Sequence, residues 1–336
     1  MSEIRPLPAR ASVSSPPLPR TALSTLPLIL LLLFFSLTAA PLLRAQTVAQ
    51  GERIAAASYP VWLFTRYLNQ GRDFFSVELM TSPETGCPHE FNPRQEDLEK
   101  LSRTKNLVEN GLGLEVYLDR ALRVAPSDIF IIDASKGVPT LLLDSGRVKV
   151  TGDVSKKTVD PNPHIFLSPK NAALMTANIA AALTEKDPAG AEHYRDRLER
   201  FQASMETLEE EIANFKNTRR GYKVVTSHGF MDYLAAELGI LIVADIEAVP
   251  EVAPSPARLQ SIVQLVKSEG VSAILLEPDS DVEQAKSLGA ETGVPVAVVD
   301  PATSGSADPP VDYYQQVVSS DIALLSRLLP ANVKAN

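Results

Sequence analysis

Residues 189–216 read AGAEHYRDRLERFQASMETLEEEIANFK, and this stretch determines how the rest of the chain is interpreted. Its apolar side chains recur at spacings of three and four residues, with charged side chains on the other faces, which predicts one long amphipathic helix. The apolar positions are Tyr194, Leu198, Phe201, Met205, Leu208, Ile212 and Phe215. A helix of this length resists bending, so we expect it to connect two lobes as a rigid linker. The alternative is a surface helix that lies on a single domain.

On both sides of this helix, short apolar runs alternate with helical periodicity, which predicts β/α units and mainly parallel sheets. Before the helix, the predicted strands are 54–58, 76–80, 106–109 and 129–133, and the predicted helices are 61–69, 95–102 and 113–124. After it, the predicted strands are 223–226, 241–245, 273–276 and 296–299, and the predicted helices are 230–237, 255–268, 282–292 and 313–329. The polar stretch 144–162 predicts a loop or a small hairpin. The fold class is therefore α/β, with two (β/α) lobes of mainly parallel sheets joined by one long rigid helix.

The first 45 residues differ from everything that follows them. Arginines precede the apolar run 28–35, and small residues follow it up to Ala45, which is the pattern of a secretory signal peptide. The apolar run is short for a membrane span, so an uncleaved anchor is the less favoured alternative. We therefore divide the chain into a signal peptide (1–45), an N-terminal α/β lobe (46–187), a linker helix (188–218) and a C-terminal α/β lobe (219–336). We expect a periplasmic protein, and no lipid anchor, because no cysteine closely follows the apolar run.

Composition limits the classes of partner. The net charge is −9, and no cluster of lysine and arginine lies beyond the predicted signal peptide, so we exclude nucleic acid, whose phosphates require a basic surface. The chain has a single cysteine, Cys87, which excludes an internal disulfide. We expect a monomer.

The chain has only four histidines, and three of them lie in loops or beside predicted strand ends. His89 follows strand 76–80 through a loop, His228 follows strand 223–226, and Asp300 follows strand 296–299. Ligands of open α/β sheets bind outside the C-terminal ends of the strands, so these side chains are expected to meet in one crevice. His164, in the stretch 160–164 whose prolines fix the backbone and hold the ring away from a helix, supplies a third imidazole. Three imidazoles and one carboxylate form a ligand set that Zn²⁺ or Mn²⁺ accepts. The alternative is that each histidine is a separate loop or capping residue.

Three further residues lie near these positions in sequence or in the predicted fold. Cys87 is two residues before His89, but a packed thiol is the commoner role of a single cysteine, so we leave it outside the ligand set. Glu277 follows strand 273–276 and is predicted to orient a ligating histidine, with metal binding or initiation of the next helix as alternatives. His193 lies within the predicted linker helix beside charged residues, and we interpret it as solvated and exclude it from the site.

Six motifs follow one another along the chain: Pro88-His89-Glu90-Phe91, Asn110-Gly111-Leu112-Gly113, Asn162-Pro163-His164-Ile165, Val225-Thr226-Ser227-His228, Leu276-Glu277-Pro278 and Val299-Asp300-Pro301. In this order they resemble the zinc/manganese-type metal-binding periplasmic solute-binding proteins of ABC transporters, over nearly all of the chain after residue 45. The resemblance implies metal ligands at His89, His164, His228 and Asp300. The imidazole at position 228 is similar to the zinc-type arrangement. The sequence departs from the family at Cys87, where aspartate is common, and in 144–159, which contains no histidine.

The resemblance also implies a function. The protein is expected to capture a divalent transition metal between its lobes, Zn²⁺ first and Mn²⁺ or Fe²⁺ as alternatives, and to deliver it to the membrane permease of an ABC transporter. No enzymatic activity is expected, because four protein ligands leave no position for water or substrate on the metal. The alternative from another class is a secreted zinc hydrolase with Glu277 as general base.

Overall fold

Two four-stranded parallel sheets lie at the centre of the two halves of the chain. The computed structural model describes residues 52–142, 160–247 and 252–332, so the predicted signal peptide and nearly all of the polar stretch 144–162 lie outside the described residues. The first sheet contains β1 (Glu52–Ala56), β2 (Phe75–Leu79), β3 (Asn106–Glu109) and β4 (Phe130–Asp133), and the second contains β5 (Lys223–Thr226), β6 (Leu241–Asp245), β7 (Ala273–Leu276) and β8 (Val296–Val298). The strand orders are β2-β1-β3-β4 and β6-β5-β7-β8, so the two halves share one topology. The pairings of these strands are parallel, as predicted.

Helices connect the strands of each sheet. They are α1 (Tyr59–Asn69), α2 (Gln95–Ser102), α3 (Leu118–Ala121), α4 (Pro169–Lys186), α5 (Ala191–Arg219), α6 (Asp232–Leu238), α7 (Pro256–Glu269), α8 (Val282–Thr292) and α9 (Tyr313–Leu328). Two predicted helix boundaries are confirmed by their local chemistry. The Ser255 hydroxyl accepts a hydrogen bond from the Arg258 backbone N–H and so caps the start of α7, and Gly239 ends α6 at φ 73°, a conformation that glycine adopts without steric cost.

The helix predicted at 113–124 begins too early, because helical residues start only at Leu118. Only α3 and a following 3₁₀ turn, Leu122–Val124, are helical in that segment. Gly111, Leu112 and Gly113 have φ values of 82°, 57° and 75°, and a right-handed helix cannot begin from left-handed backbone. The Glu115 carboxylate instead accepts a hydrogen bond from the Asn110 backbone N–H at 2.9 Å, which holds the segment as a turn.

The long helix α5 contacts elements from both halves of the chain. Six of its seven predicted apolar positions are buried, and Leu198 is partly buried against the same core. The helix packs against α4, which precedes it, and against α9, at the end of the described chain. The largest apolar cluster includes this buried face and residues of both sheets, among them Ile54 and Val224. The prediction of one long helix joining two α/β lobes is therefore confirmed. Within the described residues, no helix has both the length and the apolar character that crossing a membrane requires.

Candidate metal centre

The second sheet has its topological switch point between β5 and β7. From β5 the chain crosses to β6 on one side, and β7 lies on the other side of β5. Such switch points form a crevice outside the C-terminal ends of the two strands. His228 lies two residues beyond β5, and Glu277 directly follows β7, so both side chains lie at this crevice. Their predicted positions at strand ends agree with the structure.

His228 and Glu277 form a buried pair. Nδ1 of His228 lies 3.0 Å from Oε1 of Glu277, and the two residues are 5% and 6% exposed. Burial lowers the pKa of His228, but the Glu277 carboxylate and the Cys87 sulfur outweigh burial, so the pKa is raised overall. Nδ1–H donates to the carboxylate, which leaves Nε2 as the available ring nitrogen. That atom is buried and has no hydrogen-bond partner among the described residues. Glu277 was predicted to orient a histidine, and this contact is the geometry that such a role requires.

His164 is held by Asn162. The Asn162 side-chain carbonyl accepts hydrogen bonds from the backbone N–H of His164 at 2.9 Å and from its ring Nδ1–H at 2.8 Å. The Asn162 amide nitrogen donates to the Gly229 carbonyl oxygen at 2.6 Å and to Asp232 at 3.1 Å, which ties this segment to the residues after His228. Burial lowers the pKa of His164, so the ring is neutral and Nε2 carries a lone pair.

Cys87 lies beside both His164 and His228. Its Sγ lies 3.4 Å from Nε2 of His164, and the ligand atoms of Cys87, His164 and His228 all lie within 4.8 Å of one another. The Cys87 thiol was expected to stay outside the ligand set, and this stays a prediction, but the structure places its sulfur beside both histidines. The signal in the sequence was its position, two residues before His89 and directly after a glycine.

His89 lies beside the same group. Its ring centroid is 5.3 Å from that of His164 and 6.5 Å from that of His228. Its Nε2 is buried without a hydrogen-bond partner in the described part of the chain, and burial lowers its pKa to about 4. The structure therefore brings together the three histidines that were predicted to meet.

Asp300 lies near the second sheet but outside this close group. Its Oδ1 accepts a hydrogen bond from the Ala302 backbone N–H at 2.8 Å, and its own backbone N–H donates to Asp321 at 3.2 Å. Burial raises the pKa of the Asp300 carboxyl. Among the described residues, the compact group of possible metal ligands contains Cys87, His164 and His228, and it contains neither His89 nor Asp300.

His193 is on α5 and lies outside the group. The interpretation of this ring as solvated is wrong, because the side chain is partly buried and its Nε2 lies 3.1 Å from the Leu68 carbonyl oxygen. This hydrogen bond attaches the start of α5 to the end of α1. Its exclusion from the metal site stays a prediction.

These side chains fit a metal ion chemically. Buried nitrogen atoms with no partner are costly, and a metal ion satisfies them. Imidazole nitrogen and thiolate sulfur are preferred ligands of Zn²⁺, and the contacts to Glu277 and Asn162 orient two of the rings as partners of ligating histidines do.

The sequence is similar to those of known metal-binding proteins. The family model described as "Zinc-uptake complex component A periplasmic" matches residues 54–327. The zinc-binding protein AdcA of Streptococcus pyogenes serotype M1 is 24% identical over 270 residues, which cover 76% of this chain and 52% of AdcA. The metal ABC transporter substrate-binding lipoprotein SloC of Streptococcus mutans serotype c is 27% identical over 222 residues, covering 62% of this chain and 68% of SloC. The chain thus spans about half the length of AdcA. SloC is named a lipoprotein, whereas no lipid anchor was expected here.

Solved structures share the fold. FpvC from Pseudomonas aeruginosa in complex with Mn²⁺ superposes with a TM-score of 0.71 at 23% identity, covering 83% of this chain and 98% of FpvC. The crystal structure of ZnuA gives a TM-score of 0.70 at 22% identity and covers 83% of this chain and all of that one (100%). Because the family model matches most of the sequence, the chain belongs to the zinc-uptake complex component A family of metal-binding ABC-transporter solute-binding proteins.

Proposed function

We propose that this protein is an extracytoplasmic receptor that captures a divalent transition metal, zinc first, and delivers it to the membrane permease of an ABC transporter. The observation that carries the proposal is the convergence of three imidazoles, two of them buried (His164 and His228) and one partly buried (His89). Two of these rings, His89 and His228, have a buried Nε2 atom without a partner in the described residues. The relatives AdcA and SloC, named as zinc-binding and metal-transporting proteins, support it. The periplasmic location, the monomeric state and the lobe boundaries at 187/188 and 218/219 belong to the same proposal.

The proposed ligands are the imidazoles of His89, His164 and His228. The fourth position has two candidates, the Asp300 carboxylate from the sequence and the Cys87 thiolate from the structure. A set dominated by nitrogen favours Zn²⁺ over Mn²⁺, which prefers oxygen ligands. A manganese or iron receptor is the second candidate, because FpvC, which has the same fold, is known in complex with Mn²⁺.

Binding is favoured over hydrolysis by the position of Glu277. A general base must reach the water that it deprotonates, whereas Oε1 of Glu277 is engaged with Nδ1 of His228 at 3.0 Å and Oε2 is buried, without a hydrogen-bond partner among the described residues. This contact suits a residue that orients a ligand. The zinc hydrolase alternative would show chelator-sensitive turnover of an ester, amide or phosphate substrate.

Competition calorimetry with Zn²⁺ and Mn²⁺ tests the proposed function. We expect tighter binding of Zn²⁺, and we expect His164→Ala and His228→Ala each to lose more affinity than the roughly 10–100-fold that the loss of an outer partner costs. His193→Ala is the matched control, because His193 contacts Leu68 and lies outside the group, and it should retain wild-type affinity. Tighter Mn²⁺ binding would contradict the choice of zinc, and an equal loss in the His193 variant would contradict the ligand set.

A further inference from the structure

We propose that the Cys87 thiolate binds the metal ion directly, together with the imidazoles. This inference rests on the proposed function, since it names a ligand of the same metal centre. The substrate class then becomes thiophilic divalent cations such as Zn²⁺ and Cd²⁺, because thiolate selects softer ions whereas carboxylate oxygen suits Mn²⁺.

The distance between the sulfur and the nearest imidazole supports direct binding. A tetrahedral zinc ion with Zn–S of about 2.3 Å and Zn–N of about 2.0–2.1 Å separates the two ligand atoms by roughly 3.5 Å. Sγ of Cys87 lies 3.4 Å from Nε2 of His164, and a ring nitrogen of His228 completes a group whose ligand atoms lie within 4.8 Å of one another. The Cys87 sulfur and the His164 nitrogen are therefore already spaced as one zinc ion requires.

A hydrogen bond from the Cys87 thiol to His164 explains less of this arrangement than a bound metal ion does. One S–H group can donate to one nitrogen, yet Nε2 of His228 and Nε2 of His89 are both buried without a hydrogen-bond partner among the described residues. A metal ion bound by Cys87, His164 and His228 satisfies Nε2 of His228 together with Nε2 of His164. His89 lies beside this group, with its ring centroid 5.3 Å from that of His164, and its Nε2 would complete a tetrahedral set of one sulfur and three nitrogens. The Asp300 carboxylate, already bonded to Ala302, is then not needed to close it.

The loop that carries Cys87 is built to bring the sulfur into this position. Gly86 has φ 73°, and a Cβ atom added there would collide with the Asp279 carboxylate of the second half. Glycine adopts this backbone conformation without steric cost, and a larger residue would also have to displace the Asp279 side chain. The Gly305 backbone N–H donates to the Pro83 carbonyl oxygen at 2.8 Å and holds the same loop from the second half. Cys87 is the next residue after Gly86, so its position follows from contacts that span the two halves.

X-ray absorption at the zinc edge tests this assignment on the zinc-loaded protein kept under reducing conditions. We expect a sulfur shell at about 2.3 Å beside nitrogen at about 2.0–2.1 Å. Cys87 is the only cysteine in the sequence, so Cys87→Ser must remove the sulfur shell unless a methionine supplies it. The Cys87→Ser variant should also lose zinc affinity by more than the roughly 10–100-fold that is lost with a residue that only hydrogen-bonds to a ligand. The ratio of its affinities for Zn²⁺ and Mn²⁺ should decrease as well.

Asp300→Asn is the matched control, and it should keep the sulfur shell and bind zinc more tightly than the Cys87 variant. Wild-type protein that binds zinc through nitrogen and oxygen alone would overturn the role of Cys87 and leave the proposed function intact. A sulfur shell that persists in Cys87→Ser would equally overturn it. Wild-type protein that binds no metal would overturn both. The wild-type spectrum decides the question even if Cys87→Ser folds poorly.

Discussion

Two imidazoles of the proposed metal centre each have one ring nitrogen engaged by a neighbouring side chain. Glu277 holds Nδ1 of His228, and Asn162 holds Nδ1 of His164. Each contact fixes the ring orientation and points Nε2 toward the other ligands, so binding does not have to select these rotamers. The partners differ in charge, since one is a carboxylate and the other a neutral amide. The carboxylate compensates the positive charge of a protonated His228 in the absence of metal.

Glu115 is a buried carboxyl group, 5% exposed, that predicts a pH dependence of stability. It accepts hydrogen bonds from the Ser58 hydroxyl at 2.7 Å and the Asn110 backbone N–H at 2.9 Å, and burial raises its pKa from 4.5 to about 7. Between these two values the folded protein keeps a proton that the unfolded chain releases, so the free energy of unfolding falls as pH rises. We expect Glu115→Gln to remove this loss, because the amide oxygen can still accept both hydrogen bonds.

Urea unfolding at pH 5 and pH 8 measures this effect. At pH 8, the free energy of unfolding of Glu115→Gln should exceed that of wild type by on the order of 3 kcal/mol at most. At pH 5 the difference should be much smaller. Glu291→Gln changes an exposed glutamate and should have little effect at either pH. A similar effect of Glu115→Gln at both pH values would contradict the raised pKa.

At the scale of residues, the sequence predicted that three histidines lie close together but not that Cys87 lies beside them. His228 was predictable because it directly follows an apolar run that forms a buried parallel strand, and such strand ends meet at one edge of a sheet. Cys87 lies at the end of an eight-residue loop after β2, so no periodicity fixes its direction. Its position depends on the left-handed backbone of Gly86 and on packing against Asp279, neither of which a pattern of residue types reveals.

At the scale of elements, the linker helix is held by aromatic packing. The ring of Phe201 on α5 is 1% exposed and lies 5.4 Å from Phe64 and 5.1 Å from Tyr67, both on α1, in edge-to-face geometry. It also stacks on Tyr314 of α9 at 6.2 Å. One side chain therefore contacts a helix of the first half and a helix of the second half.

Replacing this ring tests the packing of the helix. We expect Phe201→Ala to lower the free energy of unfolding by about 3–5 kcal/mol, because it removes a large buried side chain and leaves a cavity. Chemical denaturation at neutral pH measures the loss. Glu206→Ala, on the exposed face of the same helix, is the control and should stay within about 0.5 kcal/mol of wild type. A loss below about 1 kcal/mol in Phe201→Ala would show that α5 lies loosely on the core.

The elements with strong periodicity were predictable from the sequence. The wrong start of the helix predicted at 113–124 has a local cause. The apolar spacing of α5 extends over many turns, and the strands are short apolar runs bounded by polar residues, so both patterns survive without tertiary information. The segment 113–124 contains helix-forming residues, but its start follows three residues with positive φ. Gly111 and Gly113 could be recognised in the sequence as residues that tolerate positive φ. The left-handed conformation of Leu112 is instead imposed by the surrounding structure.

At the scale of the whole molecule, the two halves share one core. The largest apolar cluster contains Ile54 and Val108 of the first sheet, Val224 and Leu275 of the second sheet, and the buried face of α5. Apolar contacts that span both sheets couple their unfolding, because neither sheet can separate without exposing part of the common cluster. The proposed ligands also come from both halves, since His89 and His164 precede α5 and His228 follows it.

Thermal unfolding with and without zinc tests this coupling. With a chelator present, we expect a single cooperative transition by calorimetry rather than one transition for each half. Zinc at 100 times its dissociation constant should move that whole transition upward, by a stabilisation of about 2.7 kcal/mol, since the proposed ligands come from both halves. The His164→Ala variant should show a single transition that zinc moves much less. Two separate transitions, with only one of them responding to zinc, would contradict the shared core and would show that the two halves unfold independently.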